Sequence, residues 1–257
     1  MSGLTMVLRQ IRYEWVAFWR NPAAAFFTFV FPLLFLVIFN MVFGNAEISV
    51  PGGTARASTF YVPAIAAMSI VNACFTSLAM SVTISRDAGV LKRVRGTPLP
   101  PWAYLTARIG LVTLVALLLI TIVVSLGALA YGVSVPTHTM PAFILTVLVS
   151  AATCSALGLA VTALVPNTDA APPVVNGIAL PLLFISDIFV RAERVPPWVN
   201  RLADVFPLSH ISEALQTAFN PFEVGSGFEW THLAVIAAWG VVGMLLALRF
   251  FTWEPRQ

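Results

Sequence analysis

Charge is scarce in this 257-residue chain. Only 10% of the residues are Asp, Glu, Lys or Arg, whereas 59% are hydrophobic and the mean hydropathy is +0.89. A water-soluble globular domain is about one quarter charged, so this balance excludes an ordinary soluble enzyme and favours a protein solvated by lipid. The net charge of +3 is too small and too scattered to indicate a nucleic-acid partner, and we expect none.

Motifs for catalysis and for phosphate or metal binding are also missing. The chain has no G-x-x-x-x-G-K-[ST] phosphate loop, no H-E-x-x-H motif and no cluster of Cys and His. His138, His210 and His232 are isolated in the sequence, and Cys74 and Cys154 fall within apolar runs. We therefore expect no catalytic residue, no metal site, no cofactor and no disulfide in this chain.

Long charge-free runs are the main feature that is present. A transmembrane helix needs about 20 mainly apolar residues, and proline-bearing polar segments divide these runs into separate helices. The six predicted spans are 23–43, 60–85, 109–131, 141–165, 171–189 and 231–248. The expected fold is therefore an all-α membrane protein in which residues 1–257 form a single transmembrane domain.

Two further segments are apolar without being spans. Residues 1–21 place Trp15 and Trp19 on one helical arc with the basic residues elsewhere, which predicts an amphipathic helix in the membrane interface. A cleaved signal peptide is the alternative, but the apolar run that follows is too long for one. Residues 190–230 combine four prolines with aromatic residues, which predicts short re-entrant helices on the outer side.

The distribution of basic residues predicts the orientation in the membrane. Ten of the fourteen Lys and Arg residues lie at the two termini or after the second predicted span: Arg9, Arg12, Arg20, Arg86, Lys92, Arg93, Arg95, Arg108, Arg249 and Arg256. Because cytoplasmic segments are enriched in Lys and Arg, we expect both termini and residues 86–102 to be cytoplasmic.

Polar residues inside the predicted spans are few. Asn72 and Asn176 either line a path or bond between helices, and the sequence leaves both readings open. Asp187 lies one turn from the outer end of the fifth span, four residues before Arg191. That spacing favours an interfacial ion pair over a transport site.

Three stretches of sequence resemble one known family. They are "WRNPAAAFFTFVFPLLFLVIFNMVFG" (19–44), "SRDAGVLKRVRGTPLP" (85–100) and "LPLLFISDIFVRAERVPPWVNRLADVFPLSH" (180–210). Their order on a six-span frame is similar to that of the type-2 membrane permease of bacterial ATP-binding-cassette (ABC) exporters, including the daunorubicin-resistance-like permeases. Two positions depart from the pattern: Ser85 stands where the family often has Glu, and Asp187 where it often has Gly.

The resemblance implies an exporter in the bacterial plasma (inner) membrane. Two permease chains, identical or paralogous, work with two ATPase subunits that bind ATP and Mg²⁺, and the permease contacts membrane lipid. Because the spans offer few partners for charge, we expect an amphipathic or hydrophobic drug or lipid as cargo. Export of a polysaccharide or glycolipid is the alternative, and a membrane scaffold or an intramembrane enzyme is less favoured.

The candidate site residues come from this resemblance and from the pattern within residues 86–102. There Val90, Leu91 and Val94 give a short helix one apolar face. If the basic residues only bound anionic lipid, this apolar face would have no explanation. We expect this segment to couple the chain to the ATPase through Arg86, Gly89, Val90, Leu91, Arg93, Val94 and Thr97. The expected substrate path is lined by Asn72, Phe75, Asn176 and Phe184, and the expected outer gate by Asp187, Phe189, Pro207 and His210.

Overall fold

Long apolar helices dominate the structure. The computed structural model describes residues 3–97, 99–189 and 196–254. Within these residues, five helical segments are long and apolar enough to cross a membrane: Pro22–Phe43, Ser58–Asp87, Pro101–Tyr131, Met140–Val161 and Trp230–Phe250. The expectation of a helical membrane protein is therefore confirmed.

The elements follow one another with short connections. In chain order they are α1 (Gly3–Trp19), α2 (Pro22–Phe43), β1 (Glu47–Val50), β2 (Gly53–Arg56), α3 (Ser58–Ile70), a π-helical turn (Val71–Ser77), α4 (Leu78–Asp87), α5 (Val90–Arg95), α6 (Pro101–Tyr131), α7 (Met140–Val161), α8 (Ala171–Ile185), α9 (Pro197–Ala203), α10 (Pro207–Phe219) and α11 (Trp230–Phe250). The continuous helical segment Ser58–Asp87, here called span 2, is the most buried of the five and packs against α2, α6, α7 and α10.

The predicted fifth span differs most from the sequence expectation. Helix α8 ends at Ile185 and has 15 residues, about 23 Å of helix, which is shorter than a bilayer core. Asp187, two residues later, has a φ of 49°, so the helix does not continue to the predicted boundary at 189. Helix α6 begins at Pro101, eight residues before the predicted start of the third span, and Arg108 lies within it and forms an ion pair with Glu14.

A two-stranded hairpin follows α2 and was not predicted. Strands β1 and β2 are antiparallel, with Glu47 opposite Arg56 and Val50 opposite Gly53, and Gly52 in the turn has a φ of 95°. The tip packs on Phe222, and a Cβ atom added at Gly53 would lie 2.8 Å from the Cζ of that ring. The hairpin therefore joins the loop after α10.

Helix α1 packs on α6, although its sequence predicts a helix lying in the membrane interface. Val7 is buried with Ala103 and Ala107, and Ile11 packs beside them. Leu4, at 70% exposure, remains on the open side of the same apolar arc. One part of the apolar arc therefore packs on α6, and the other part remains exposed on the surface of the protein.

The segment predicted as re-entrant, 190–230, contains two short helices, α9 and α10, in its described part. Residues 190–195, which include Arg191, lie outside the described residues. Helix α10 buries Leu208, Ile211 and Leu215 between α3 and α11. The re-entrant position of α9 and α10 in the bilayer stays a prediction.

Hydrogen bonds between loops define two ends of the molecule. At one end Asn220 Nδ2 donates to the Pro51 carbonyl (3.0 Å) and Thr139 Oγ1 to the Ala218 carbonyl (2.5 Å). We call this the hairpin end, formed by residues 44–57, 132–139 and 204–229. The other, the α5 end, is formed by residues 86–97, 99–100 and 162–170.

Candidate functional site

The α5 segment is a short basic helix with its apolar face turned inward. Gly89 has a φ of 69° and reverses the chain after α4, a conformation that side chains with a Cβ rarely adopt. Leu91 is completely buried within the chain, whereas Lys92, Arg93 and Arg95 are exposed. The helix therefore presents a basic surface outward and is anchored by an aliphatic side chain.

Arg86 fastens this segment to the connection between α7 and α8. Its guanidinium is buried and donates to the carbonyls of Thr162 (3.1 Å), Val165 (2.7 Å) and Pro166 (3.2 Å). It also forms an ion pair with Asp87 at 3.2 Å. Hydrogen bonds from a charged donor are stronger than neutral ones, so this clasp holds the two connections rigidly.

Arg86 and Leu91 were both expected to touch an ATPase. Neither side chain reaches the surface of this chain, and their contact with an ATPase stays a prediction. Val90 and Val94 are half-buried, Gly89 lies in the turn, and Thr97 is exposed and donates to the Val94 carbonyl. Arg93 is exposed and donates to the Ala88 carbonyl at 3.0 Å. The surface that remains accessible is polar and basic.

Two of the expected path residues lie on the π-helical turn in the middle of span 2. Phe75 is buried and Asn72 is half-buried. Gly158 on α7 faces this turn, and a Cβ atom there would lie 2.9 Å from the Phe75 carbonyl oxygen. The two backbones are in close contact because Gly158 has no side chain. Turns of this kind inside α-helices are frequent at functional sites.

An apolar cavity of about 160 Å³ adjoins Phe75. Span 2, α7, α8, α10 and α11 all contribute to its lining: Val71, Phe75, Cys154, Leu157, Val161, Ile178, Ala179, Leu182, Phe206, Pro207, Leu208 and Trp239. None of these residues is Asp, Glu, Lys, Arg or His. The cavity therefore suits a hydrophobic group and offers no partner to a charge.

The other two expected path residues, Asn176 and Phe184, lie on α8. Asn176 is half-buried and Phe184 is 60% exposed. The exposed residues of α8 form one stripe: Pro172, Pro173, Gly177, Leu180, Pro181 and Phe184. The opposite face packs into the core through Val175, Ala179 and other small or aliphatic residues. This protomer therefore leaves one face of α8 uncovered.

The expected outer-gate residues are distributed over two neighbouring contacts. Phe189 packs against Phe39 of α2, with ring centroids 5.9 Å apart, and Asp187 accepts a hydrogen bond from Gln216 of α10 at 3.4 Å. Pro207 is buried at the first turn of α10. His210 was isolated in the sequence but contacts His232 of α11, which the sequence analysis did not anticipate.

Sequence reasoning also missed a groove of about 260 Å³ between α1, α2, span 2 and α6, in which a cluster of polar side chains lies among apolar ones. Arg108 forms an ion pair with Glu14 at 3.3 Å and donates to Ser85 Oγ at 2.8 Å. Ser77 and Ser81 line the same groove. A usable signal was present, because Glu14 is the only acidic residue in the first 46 residues and Arg108 begins a long charge-free run.

Several long apolar helices around a deeply buried central span define a multi-pass membrane protein with a clasped basic loop at one end. The sequence profile of the ABC-2 type transporter family matches residues 7–220. The chain therefore belongs to the ABC-2 type transporter family.

Named relatives of low identity agree with this assignment. The chain is similar to the putative transport permease ycf38 of Porphyra purpurea (23% identity, 91% of this chain and 79% of the relative). It is also similar to the daunorubicin resistance ABC transporter permease protein DrrB1 of Streptomyces coeruleorubidus (26%, 83% and 74%). The probable multidrug ABC transporter permease YbhR of Escherichia coli K12 matches over a shorter region (23%, 60% and 42%).

The family determines the general role of the chain. Its members are transport permease subunits whose ATPase is a separate partner, and they typically act as dimers. The chain is accordingly a permease subunit of an ABC transporter and not an enzyme by itself.

Proposed function

We propose that this permease belongs to an exporter of an amphipathic or hydrophobic drug or lipid, taken from the cytoplasm or the inner leaflet. The apolar cavity beside the π-helical turn carries this proposal. A charged cargo group placed there would lose its hydration without gaining a partner, which costs several kcal/mol. The names of DrrB1 and YbhR refer to drug resistance and multidrug transport, which supports the same class of cargo.

The proposed ATPase contact is the exposed surface of α5 and the turn after it. Lys92, Arg93, Arg95 and Thr97 are accessible there. Because Leu91 and Arg86 fix α5 to span 2 and to the connection before α8, displacement of α5 would move both elements together. This arrangement supports transmission of nucleotide-driven closure from the ATPase to the π-helical turn and its cavity.

The proposed partner surface for the second permease is the exposed stripe of α8. It contains Gly177 and three prolines among larger apolar residues, and small residues allow close approach of helices in membranes. Phe184 belongs to this stripe and Asn176 borders it, so pairing of two permeases would bring the expected path residues on α8 of both chains together. The complete exporter would then contain two permeases and two ATPases.

Charge supports an orientation with the α5 end in the cytoplasm. Seven basic residues lie on α1, on α5 or beside them, whereas the hairpin end and the neighbouring helix α9 mix Arg56 and Arg201 with Glu47, Asp204 and Glu229. We infer a bacterial inner membrane location with both termini cytoplasmic.

The coupling proposal is tested by reversing charge on α5. In the double variant Lys92→Glu, Arg95→Glu we expect normal insertion but loss of the co-purifying ATPase and of transport, because both side chains are exposed and basic. The matched control Arg56→Glu, Arg201→Glu reverses two exposed charges elsewhere. Wild-type association and transport in the α5 variant would overturn the proposal.

The cargo proposal is tested by filling the cavity. Ala179→Leu adds three carbon atoms to a buried lining position, and Ala237→Leu makes the same change at an exposed position of α11. With the ATPase in liposomes, we expect Ala179→Leu alone to reduce daunorubicin-stimulated or lipid-stimulated ATP hydrolysis. Equal stimulation of both variants would contradict a role for this cavity.

A further inference from the structure

Three potential metal ligands converge at the hairpin end. His210 and Glu213 lie on α10, and His232 lies in the first turn of α11. The Nδ1 atoms of the two histidines are 2.8 Å apart, and Glu213 Oε2 is 3.4 Å from His232 Nδ1. The three ligand atoms lie within 4.8 Å of one another.

A backbone contact selects the tautomer of His210. Its Nε2 atom lies 2.9 Å from the Asp204 carbonyl oxygen, which can only accept a hydrogen bond. Nε2 therefore carries the proton, and Nδ1 presents a lone pair toward His232. His232 Nδ1 must then carry the proton that lies between the two rings. This proton occupies the position that His210 Nδ1, His232 Nδ1 and the Glu213 carboxylate surround.

The geometry points to a Zn²⁺ site formed by His210 Nδ1, His232 Nδ1 and the Glu213 carboxylate. With Zn–N bonds of about 2.0 to 2.1 Å, two nitrogen ligands of a tetrahedral ion are about 3.3 Å apart. The rings therefore need to separate by only about half an ångström beyond the observed contact. Zn²⁺ would take the position of the proton between the rings. That proton would move to His232 Nε2, so both imidazoles would bind the ion in their neutral form.

The surroundings of the three ligands favour a cation. The Asp204 and Glu229 carboxylates lie close enough to Glu213 to act on it electrostatically. The same negative charges attract a divalent ion. The side chains of His232 and Glu213 keep 23% and 38% exposure, so an ion can enter from solution. The hydrogen bond from His210 Nε2 to the Asp204 carbonyl oxygen holds the ring in place, as hydrogen bonds to metal-binding histidines commonly do.

The site would act as a clasp between α10 and α11. Helix α10 also packs against α3 of span 2, so the ion would brace the hairpin end against the central span. Three protein ligands leave a fourth position for water. The expected consequence is a more stable permease, with no chemical reaction at the ion, and it does not depend on the identity of the cargo.

The test is a Zn²⁺ titration of the full chain, purified in detergent through a tag without histidine. We expect wild type to bind one equivalent of Zn²⁺ and to melt at a higher temperature with Zn²⁺ present. His210→Gln and His232→Asn are expected to weaken binding by at least about tenfold, or 1.4 kcal/mol, and to lose the thermal shift. Glu213→Gln is expected to weaken it less severely.

His138→Ala is the matched control, because His138 is exposed on the loop before α7 and lies outside the three-residue cluster. It should bind Zn²⁺ as wild type does. The absorption spectrum of bound Co²⁺ provides a second readout in every variant that folds, since a tetrahedral nitrogen and oxygen site gives intense visible bands. Equal binding by His210→Gln and wild type, or no saturable binding by wild type, would show that the pair is only hydrogen-bonded and would overturn the proposal.

Discussion

Arg86 organises the α5 end through contacts that its sequence neighbours do not reveal. Its guanidinium binds three carbonyl groups located 76 to 80 residues further along the chain. Asp87 completes the contact, because its second carboxylate oxygen accepts a hydrogen bond from Thr168 at 3.0 Å. Both connections at this end are therefore held by two consecutive residues at the end of α4.

Replacing Arg86 is predicted to destabilise the permease. Arg86→Leu leaves buried carbonyls without their charged donor, and we expect a loss of about 2 to 4 kcal/mol. Arg86→Lys keeps the charge but cannot serve three acceptors with a planar fork, so an intermediate loss is expected. Thermal denaturation in detergent measures both, with exposed Arg95→Leu as the control that removes equal charge. A wild-type melting temperature for Arg86→Leu would contradict the clasp.

At the scale of elements, the charge-free runs of the sequence located the long helices but did not predict how these helices contact one another. Charge-free length predicts span 2 and α7, but it does not predict the π-helical turn that lies against Gly158 of α7. The hairpin had a signal that was overlooked: Pro51 and Gly52 form a turn between two short strands.

The candidate site was also only partly predictable, because contacts between elements are not visible in the sequence. The apolar residues of α5 are visible in the sequence, but whether Leu91 packs inward or on a partner is decided by tertiary structure. The pairs Glu14 with Arg108 and His210 with His232 join elements that are distant in sequence. The scarcity of charge marks Glu14 and Arg108 as candidates for a pair, but the sequence does not show that the elements carrying them meet.

Two glycine substitutions are predicted to have opposite effects. A Cβ at Gly158 would meet backbone atoms of Phe75 at 2.9 and 3.1 Å, and backbone cannot move aside cheaply. Gly158→Ala is therefore expected to cost about 1 to 3 kcal/mol through overpacking. Nothing lies within 4 Å of a Cβ at Gly177, so Gly177→Ala should be neutral or stabilise α8 by up to about 1 kcal/mol. Melting temperatures that rank the variants in reverse would contradict the packing at the π-helical turn.

The uncovered stripe of α8 gives a prediction about assembly. Leu180 and Val241 are both exposed in the protomer, at 45% and 59%. If a second permease packs on α8, Leu180→Trp will lower the yield of the complete complex with its ATPase, whereas Val241→Trp on α11 will face lipid and be tolerated. Native mass spectrometry of the purified complexes measures the outcome. If both variants form intact complexes, the exposed stripe of α8 is not part of the interface between the two permeases.

At the scale of the whole molecule, the number of membrane crossings depends on α8. Its first turn follows the α5 end, where Thr168 bonds to Asp87. The chain beyond it contacts the hairpin end, through Asp187 to Gln216 and Asn220 to the Pro51 carbonyl. The chain therefore passes from one end of the molecule to the other along α8, although this helix alone is shorter than a bilayer core. That path supports six crossings.

Six crossings predict a specific labelling pattern for single cysteines. In a chain whose buried Cys74 and Cys154 are replaced by Ala, we expect Thr54→Cys and Ser226→Cys to react with a membrane-impermeant maleimide in intact cells. Arg95→Cys, which is also exposed, should react only after permeabilisation if the basic α5 end lies in the cytoplasm as proposed. If α8 returned to the α5 end without crossing, Ser226→Cys would label together with Arg95→Cys, and the six-crossing topology would be wrong.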